Sequence, residues 1–236
     1  MSQSFSASAN SVHYGRVKLL DELLDLLLPC RCILCAAVGS ALCRACATEL
    51  KLTPRQVERF GLRGWAVTDY GEVEKTLIHA FKENGLTALA PHLATALRLG
   101  LSAVKDELPN QIDGTLLVPA PSSKANYRKR GYQPAKILAM SLSQVSGSEL
   151  RVNTGLSFAR VVADQSGLAV EERRENLDGS MVGSSALAGQ RVLLIDDIVT
   201  TGVTLAESAR AVTKAGGEVL GFLTFSETIL KTQAKS

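Results

Sequence analysis

The run Val192-Leu193-Leu194-Ile195-Asp196-Asp197-Ile198-Val199-Thr200-Thr201-Gly202-Val203-Thr204 constrains this chain more than any other segment. Four consecutive apolar residues without alternation read as a strand buried on both faces, the habit of parallel sheets. Two acids stand at the carboxyl end of that strand, where open α/β sheets bind their ligands. A Thr-Thr-Gly-x-Thr turn follows, and then a helical pattern from about Leu205 to Ala215. Such a turn collects backbone N–H groups and hydroxyls at a helix N-terminus, which suits a phosphate. Gly202 lets the backbone approach closely because it has no Cβ. Carboxylates cannot bind that phosphate, so Asp196 and Asp197 face something else. Ribose hydroxyls or a metal ion suit them.

All five cysteines fall between residues 30 and 46. The spacing Cys32-x2-Cys35-x7-Cys43-x2-Cys46 makes two Cys-x-x-Cys knuckles, which together complete a tetrahedral shell for Zn2+. Soft thiolates favour zinc or iron over magnesium. With no open position the site is structural, and the metal supplies stability that so short a segment cannot draw from a core. Cys30 is left over, either buried beside the site or a substitute for Cys32.

A chain of 236 residues, 46% hydrophobic, supports one core with a small appendage. The net charge of +3 does not by itself argue for nucleic acid. No apolar run reaches the length of a membrane span. Residues 1–14 are Ser-rich without an early positive cluster, so no secretory signal is read there and a cytoplasmic location is expected. Val17–Leu28 reads as an amphipathic helix stopped by Pro29 and packed on the body of the protein.

Residues 51–65 read as a connector. Ala66–Tyr70 is expected to be a short strand, Glu74–Lys82 a helix, and Lys82-Glu83-Asn84-Gly85 a turn. Leu89, Leu93, Leu97 and Leu101 recur every four residues in a second helix over Leu86–Val104. His79 is expected to pack. Thr115–Val118 reads as a strand, and a basic loop with Lys124, Arg128, Lys129, Arg130 and Gly131 follows it. Pro134–Val145 is a helix with Pro134 in its first turn. Residues 151–158 form a short strand, and Ala159–Ser185 is a long polar stretch of the kind that makes mobile lids. Arg191–Ile195, Leu205–Ala215 and Glu218–Phe225 close the chain as strand, helix and strand. Alternating strands and helices make the sheet parallel.

The thirteen residues of the opening run resemble the signature of type I phosphoribosyltransferases at every position. From about residue 24 onward the chain resembles the ComF/GntX group of phosphoribosyltransferase-like proteins. The matching features are Leu23–Leu28, the four cysteines, Lys82, Arg130-Gly131-Tyr132 and Asp196–Thr204. Arg160, Gln165, Leu168, Glu172-Arg173 and Asn176 match a further stretch. Tyr132-Gln133-Pro134 stands where the group usually has Phe-Asn-Gln, and Val162 where it commonly has Thr. These departures bear on substrate details.

The resemblance implies an α/β fold: a type I phosphoribosyltransferase-like parallel sheet flanked by helices, with a small N-terminal zinc-binding segment and a hood. On this basis residues 1–28 are a tail and helix, 29–55 the knuckle, and 56–236 the main domain, with a hood over about 60–90 and a lid over 159–185. The implied ligand is phosphoribosyl pyrophosphate with Mg2+. Asp196 and Asp197 would hold its ribose hydroxyls, and Thr200, Thr201, Gly202, Val203 and Thr204 its 5′-phosphate. The loop after Val118 would cup the pyrophosphate, with Arg130 as the main cation and Arg128, Lys124 and Gly131 in support. Lys82 is a ligand contact, and Arg173 reaches the leaving pyrophosphate from the lid, with Arg174 the neighbouring alternative. Arg130, Arg173, Asp196 and Asp197 are thus the candidate catalytic set. The group also implies a role in natural competence, with single-stranded DNA and competence-machinery proteins as partners. A non-catalytic protein that handles DNA or senses phosphoribosyl pyrophosphate is the alternative. Only 5% of residues are aromatic, so base-stacking platforms are few.

Overall fold

The computed structural model describes residues 30–147, 150–163 and 169–229. The expected helix Val17–Leu28, the Ser-rich start, and Gln165 and Leu168 lie outside the described residues.

The chain forms an α/β sheet of six strands in the order β1-β2-β8-β7-β3-β4. Strands β2 (Leu62–Asp69), β8 (Glu218–Glu227), β7 (Arg191–Val199), β3 (Leu116–Pro119) and β4 (Arg151–Val152) run parallel. Strand β1 (Arg55–Arg59) pairs antiparallel with β2 at one edge. A separate two-stranded ribbon joins β5 (Leu156–Phe158) and β6 (Met181–Gly183).

Residues 51–65 are therefore not a connector: they hold most of a β-hairpin. Its turn is Phe60-Gly61, with φ of 51° and 70°. Positive φ at both central positions is the hairpin turn that matches strand twist. A bulky aromatic at the first of them conceals the signal, because such residues rarely adopt that conformation.

Short helix α1 (Arg44–Thr48) lies inside the cysteine segment. Helix α2 (Glu72–Lys82) leads to a 3-10 turn (Thr87–Leu89) and α3 (Ala90–Glu107). Leu89, Leu93, Leu97 and Leu101 are all at most 2% exposed, as their spacing requires. Helix α5 (Pro134–Val145) packs beside α3 on the same face, and α7 (Val203–Lys214) packs on the other face. The central strands are consequently apolar on both sides, and Val192, Leu193, Leu194 and Ile195 have no exposed surface.

Two further expectations need correction. The basic segment is not a loop but helix α4 (Lys124–Arg130). Ser123 accepts the Asn126 N–H at its start, and Gly131, at φ 78°, ends it in the left-handed conformation. The polar stretch after 159 is not structureless either. It holds helix α6 (Val170–Leu177) and strand β6, and the Glu172 side chain reaches back to the Ala169 N–H.

Candidate functional site

Strand β7 lies between β8 and β3, and α7 and α5 leave their strands on opposite faces of the sheet. Such a position opens a crevice at the carboxyl ends of the strands. The structure places a cleft of about 760 Å3 there. Its walls come from the segment after β3 (Ala120–Ser123), the end of α4, the end of α2, Phe158, Val162, Ala163 and Arg173, and the two acids of β7.

Strand β7 runs on to Val199 and so carries both acids within it. Asp197 is 1% exposed. Its Oδ1 accepts the Lys82 Nζ at 3.0 Å and the Ile198 N–H at 2.9 Å, while its buried Oδ2 has no partner. Asp196 keeps some surface in the cleft and is crowded elsewhere, and its Oδ1 accepts the Asp197 N–H at 2.9 Å. Burial, and then the neighbouring Asp197 charge, raise the Asp196 carboxyl to about 7. Burial alone would lower the Lys82 ammonium, but the charges of Asp197 and Asp196 hold it above its usual value.

Beyond β7 the chain turns through Thr200 and Thr201 into Gly202, at φ 86°, which precedes the first residue of α7. The Val203 N–H faces the Thr201 hydroxyl at 3.5 Å, and Thr204 lines the cleft. This bend presents unfilled backbone N–H groups at the positive end of a helix dipole. It is held from behind by Arg59, at the end of β1. The Arg59 Nε donates to the Thr200 carbonyl at 3.1 Å, and its terminal nitrogen donates to Glu227 Oε2 at 2.7 Å and the Thr228 carbonyl at 2.9 Å. A Cβ at Gly202 would lie 2.4 Å from the Arg59 Cβ, so this seam admits glycine only. Nothing in the local pattern of β1 marks Arg59, because its contact crosses 141 residues of sequence.

The opposite end of the cleft is cationic. Arg130 and Lys129 line it, whereas Lys124 and Arg128 sit on the exposed side of α4, away from the cleft lining. Gly131 turns the chain after α4 without itself lining the cleft. Arg130 makes a fork to Glu83, with Nε 3.4 Å from Oε2 and a terminal nitrogen bonded to Oε1, and the Lys129 Nζ lies 3.2 Å from Oε2. The Tyr132 hydroxyl donates to the Phe81 carbonyl, and the two rings pack at 6.5 Å between centroids. Sequence reasoning missed Glu83, which reads as an ordinary turn residue.

Arg173 of α6 lines the cleft, and its buried Nε has no partner. Arg174 instead faces away, 3.7 Å from Glu171. His79, expected to pack, is exposed and lines the cleft mouth. Arg160 braces the backbone at the end of α6, donating to the carbonyls of Asn176 and Asp178 at 2.9 Å. Asn176 in turn clamps the backbone of Ala163 at 3.0 Å in both directions.

The second constellation is the cysteine set. The sulfurs of Cys32, Cys35, Cys43 and Cys46 all lie within 4.8 Å of one another, in position to hold a metal ion. Burial opposes a thiolate at Cys32, but backbone N–H groups of Cys43, Cys35 and Leu34 bring it down to about 6. Cys35 and Cys43 beside Cys46 push that thiol up to about 12. Four sulfurs this close can all ionise only with a cation between them. Cys30 is outside the set.

Residues 128–235 match the model of the phosphoribosyl transferase domain. That match spans just under half of the chain. The chain is similar to competence protein F of Haemophilus influenzae, at 30% identity over 156 residues, covering 63% of this chain and 66% of the relative. It is also similar to the DNA utilization protein YhgH of Escherichia coli O157:H7, at 26% identity over 154 residues, covering 64% of this chain and 65% of the relative. The matches thus span just under two thirds of these curated relatives. A crystal structure of adenine phosphoribosyltransferase is 18% identical, with a TM-score of 0.41 over 77% of this chain and 88% of that one. Among the described residues, no helix is long and apolar enough to cross a membrane.

Proposed function

We propose that the cleft of this phosphoribosyltransferase-like protein binds phosphoribosyl pyrophosphate with Mg2+ and transfers the phosphoribosyl group to an acceptor. One observation carries the reading: a buried carboxylate oxygen of Asp197 and a buried guanidinium nitrogen of Arg173 both lack partners, and both residues line the same cleft. The hydroxyls of Ser146, Ser180, Thr224 and Ser226 also lack partners, but none of them lines the cleft; buried charged groups are rarely left unpaired, so these two await a ligand that accepts at one end and donates at the other. A sugar carrying phosphates meets both demands.

In this reading the ribose hydroxyls donate to Asp196 and Asp197. The 5′-phosphate accepts from the bend at Thr200–Thr204, held in place by Arg59. The pyrophosphate lies toward Arg130 and Lys129, with Arg173 reaching it from the lid. Mg2+ would ride on the ligand's own oxygens and needs few protein donors, which fits a cleft with two carboxylates at its centre. As the bond from C1 to the pyrophosphate oxygen breaks, its electron pair leaves with that oxygen. Arg130 and Arg173 stabilise the growing charge, while the acceptor attacks C1 from the opposite face. Positioning and electrostatics do the work, without a covalent enzyme intermediate. The hood over about 60–90 supplies the acceptor side, and the lid over 159–185 closes out water. In the knuckle, Cys32, Cys35, Cys43 and Cys46 hold Zn2+, which stabilises the segment covering residues 29–55. The protein works in the cytoplasm.

Calorimetry with phosphoribosyl pyrophosphate and Mg2+ tests binding, and pyrophosphate release with a panel of nucleobases tests transfer. Binding without release for any acceptor would leave a sensor rather than an enzyme.

A second reading, contact with single-stranded DNA in competence, is supported by the outward face of α4. There Lys124 and Arg128 stand one turn apart beside Tyr127, whose exposure is 48%. Cations beside an exposed ring suit phosphates and a stacked base. Affinity for an oligonucleotide should then fall steeply with salt. A flat response rejects this reading.

A further inference from the structure

The end of α2 sends two consecutive side chains into the cleft with opposite charges. Lys82 goes to the acidic end and Glu83 to the cationic end. The backbone fixes this arrangement, because the Glu83 N–H still donates to the His79 carbonyl at 2.8 Å as the helix closes. Glu83 fills its seat well. Its two oxygens take the fork of Arg130, whose side chain is 10% exposed, and one of them also takes Lys129. Burial opposes the charge on Glu83, but hydrogen bonds from Arg130 and Lys129 keep its carboxyl below the usual range. It is therefore ionised at neutral pH.

A forked carboxylate and a terminal phosphate present the same pair of oxygens to a guanidinium. An anion entering this end of the cleft must consequently displace Glu83 before Arg130 can bind it.

We infer that Glu83 is a specificity-determining residue: an internal competitor that reserves the Arg130–Lys129 pair for a polyphosphate and excludes singly phosphorylated ligands. The inference rests on the proposed function, since it takes this end as the pyrophosphate seat. The selectivity follows from charge. Pyrophosphate carries more negative charge than a carboxylate and can span both cations, so it wins the exchange. Inorganic phosphate or sulfate offers little more than Glu83 already gives, and Glu83 is tethered at high effective concentration. Displacement has a mechanical result as well. The Glu83 fork spans from the end of α2 to α4, so a bound pyrophosphate releases that fork as it takes its place.

Glu83→Gln keeps the size of the side chain and removes its charge, so the test reads a gain. Full-length protein loaded with its metal is titrated calorimetrically with inorganic pyrophosphate and with inorganic phosphate, at fixed ionic strength. The variant should bind pyrophosphate about tenfold more tightly, the worth of one competing charge-assisted pair. Phosphate should gain by the same factor, because both anions displace the same carboxylate, and it should bind measurably only in the variant. Glu83→Asp, shorter by one methylene, should move in the same direction by less. A purely architectural role for the fork predicts unchanged or weaker binding in both variants, and that result overturns the inference while leaving the proposed function in place. If neither wild type nor variant binds pyrophosphate, the assignment of this end falls and the inference falls with it.

Discussion

Asp196 shows how a single carboxyl links folding, ligand and pH. Its carboxyl is raised from 3.8 to about 7, by burial first and by the Asp197 charge second. The folded protein therefore holds a proton there that the unfolded chain releases. Its contribution to stability is present below about pH 4 and is lost as pH rises toward 7. Ligand binding should run the other way, because hydroxyl donors need the charged form. Affinity for phosphoribosyl pyrophosphate should rise between pH 6 and 8, and Asp196→Asn should flatten both profiles, as denaturation and calorimetry across pH will check. Gly202→Ala forces an L side chain to φ 86° and drives its Cβ into Arg59. We expect a loss of roughly 1–3 kcal/mol by denaturant titration and a larger loss of phosphoribosyl pyrophosphate binding. At this scale the sequence was legible where residues are contiguous. Asp196, Asp197 and Gly202 lie in one run, and the structure gives them one strand and one bend. Glu83 and Arg59 were not legible, because their meaning lies in partners 47 and 141 residues away.

Among the elements, the β1–β2 hairpin acts as a strut for the bend at Thr200–Thr204. Arg59 joins that bend to Glu227 at the end of β8, and Arg55 bonds the other oxygen of the same carboxylate at 2.6 Å. Arg59→Ala should weaken phosphoribosyl pyrophosphate binding at least tenfold through loss of positioning. It should leave inorganic pyrophosphate, which needs only the far end of the cleft, unaffected; paired titrations check this. The cost in stability should be about 1–3 kcal/mol, since a buried network loses a donor. In the knuckle, Cys43 supplies a sulfur and also accepts the Cys46 N–H at 3.5 Å. Cys43→Ser should abolish stoichiometric metal, measured by elemental analysis, and lower solubility. The hairpin escaped sequence reading because β1 alternates charged and polar residues around one Val57 and its turn uses Phe60. Helix α4 escaped because its cations suggested a loop. Ser123 and Gly131, spaced as a cap and a stop around seven residues, were the signal that could have found it.

The cleft draws on segments far apart in the chain, from His79 to Thr204. Elements α2 and β7 meet across the cleft, where the Lys82–Asp197 pair joins segments 115 residues apart. A ligand bridging them should therefore stabilise the entire fold. At a concentration a hundredfold above its dissociation constant, phosphoribosyl pyrophosphate should add about 2.7 kcal/mol. Thermal scans with and without the ligand will show this, and Asp196→Ala combined with Asp197→Ala should cancel it. The parallel sheet was legible as a whole because its strands are continuous apolar runs. Helix α6 was not, because it is polar almost throughout and buries only Leu177.

The cysteine knuckle is also less of an appendage than its size suggests. Cys32, Ala41 and Leu42 belong to the same apolar cluster as Leu77, Ile78 and Phe81 of α2. That helix ends in the two side chains that reach both poles of the cleft. Chelators or peroxide acting on the sulfurs, outside the cleft itself, should thus be felt as weaker binding of phosphoribosyl pyrophosphate, making the oxidation state of the knuckle an input to a pocket lined by no cysteine.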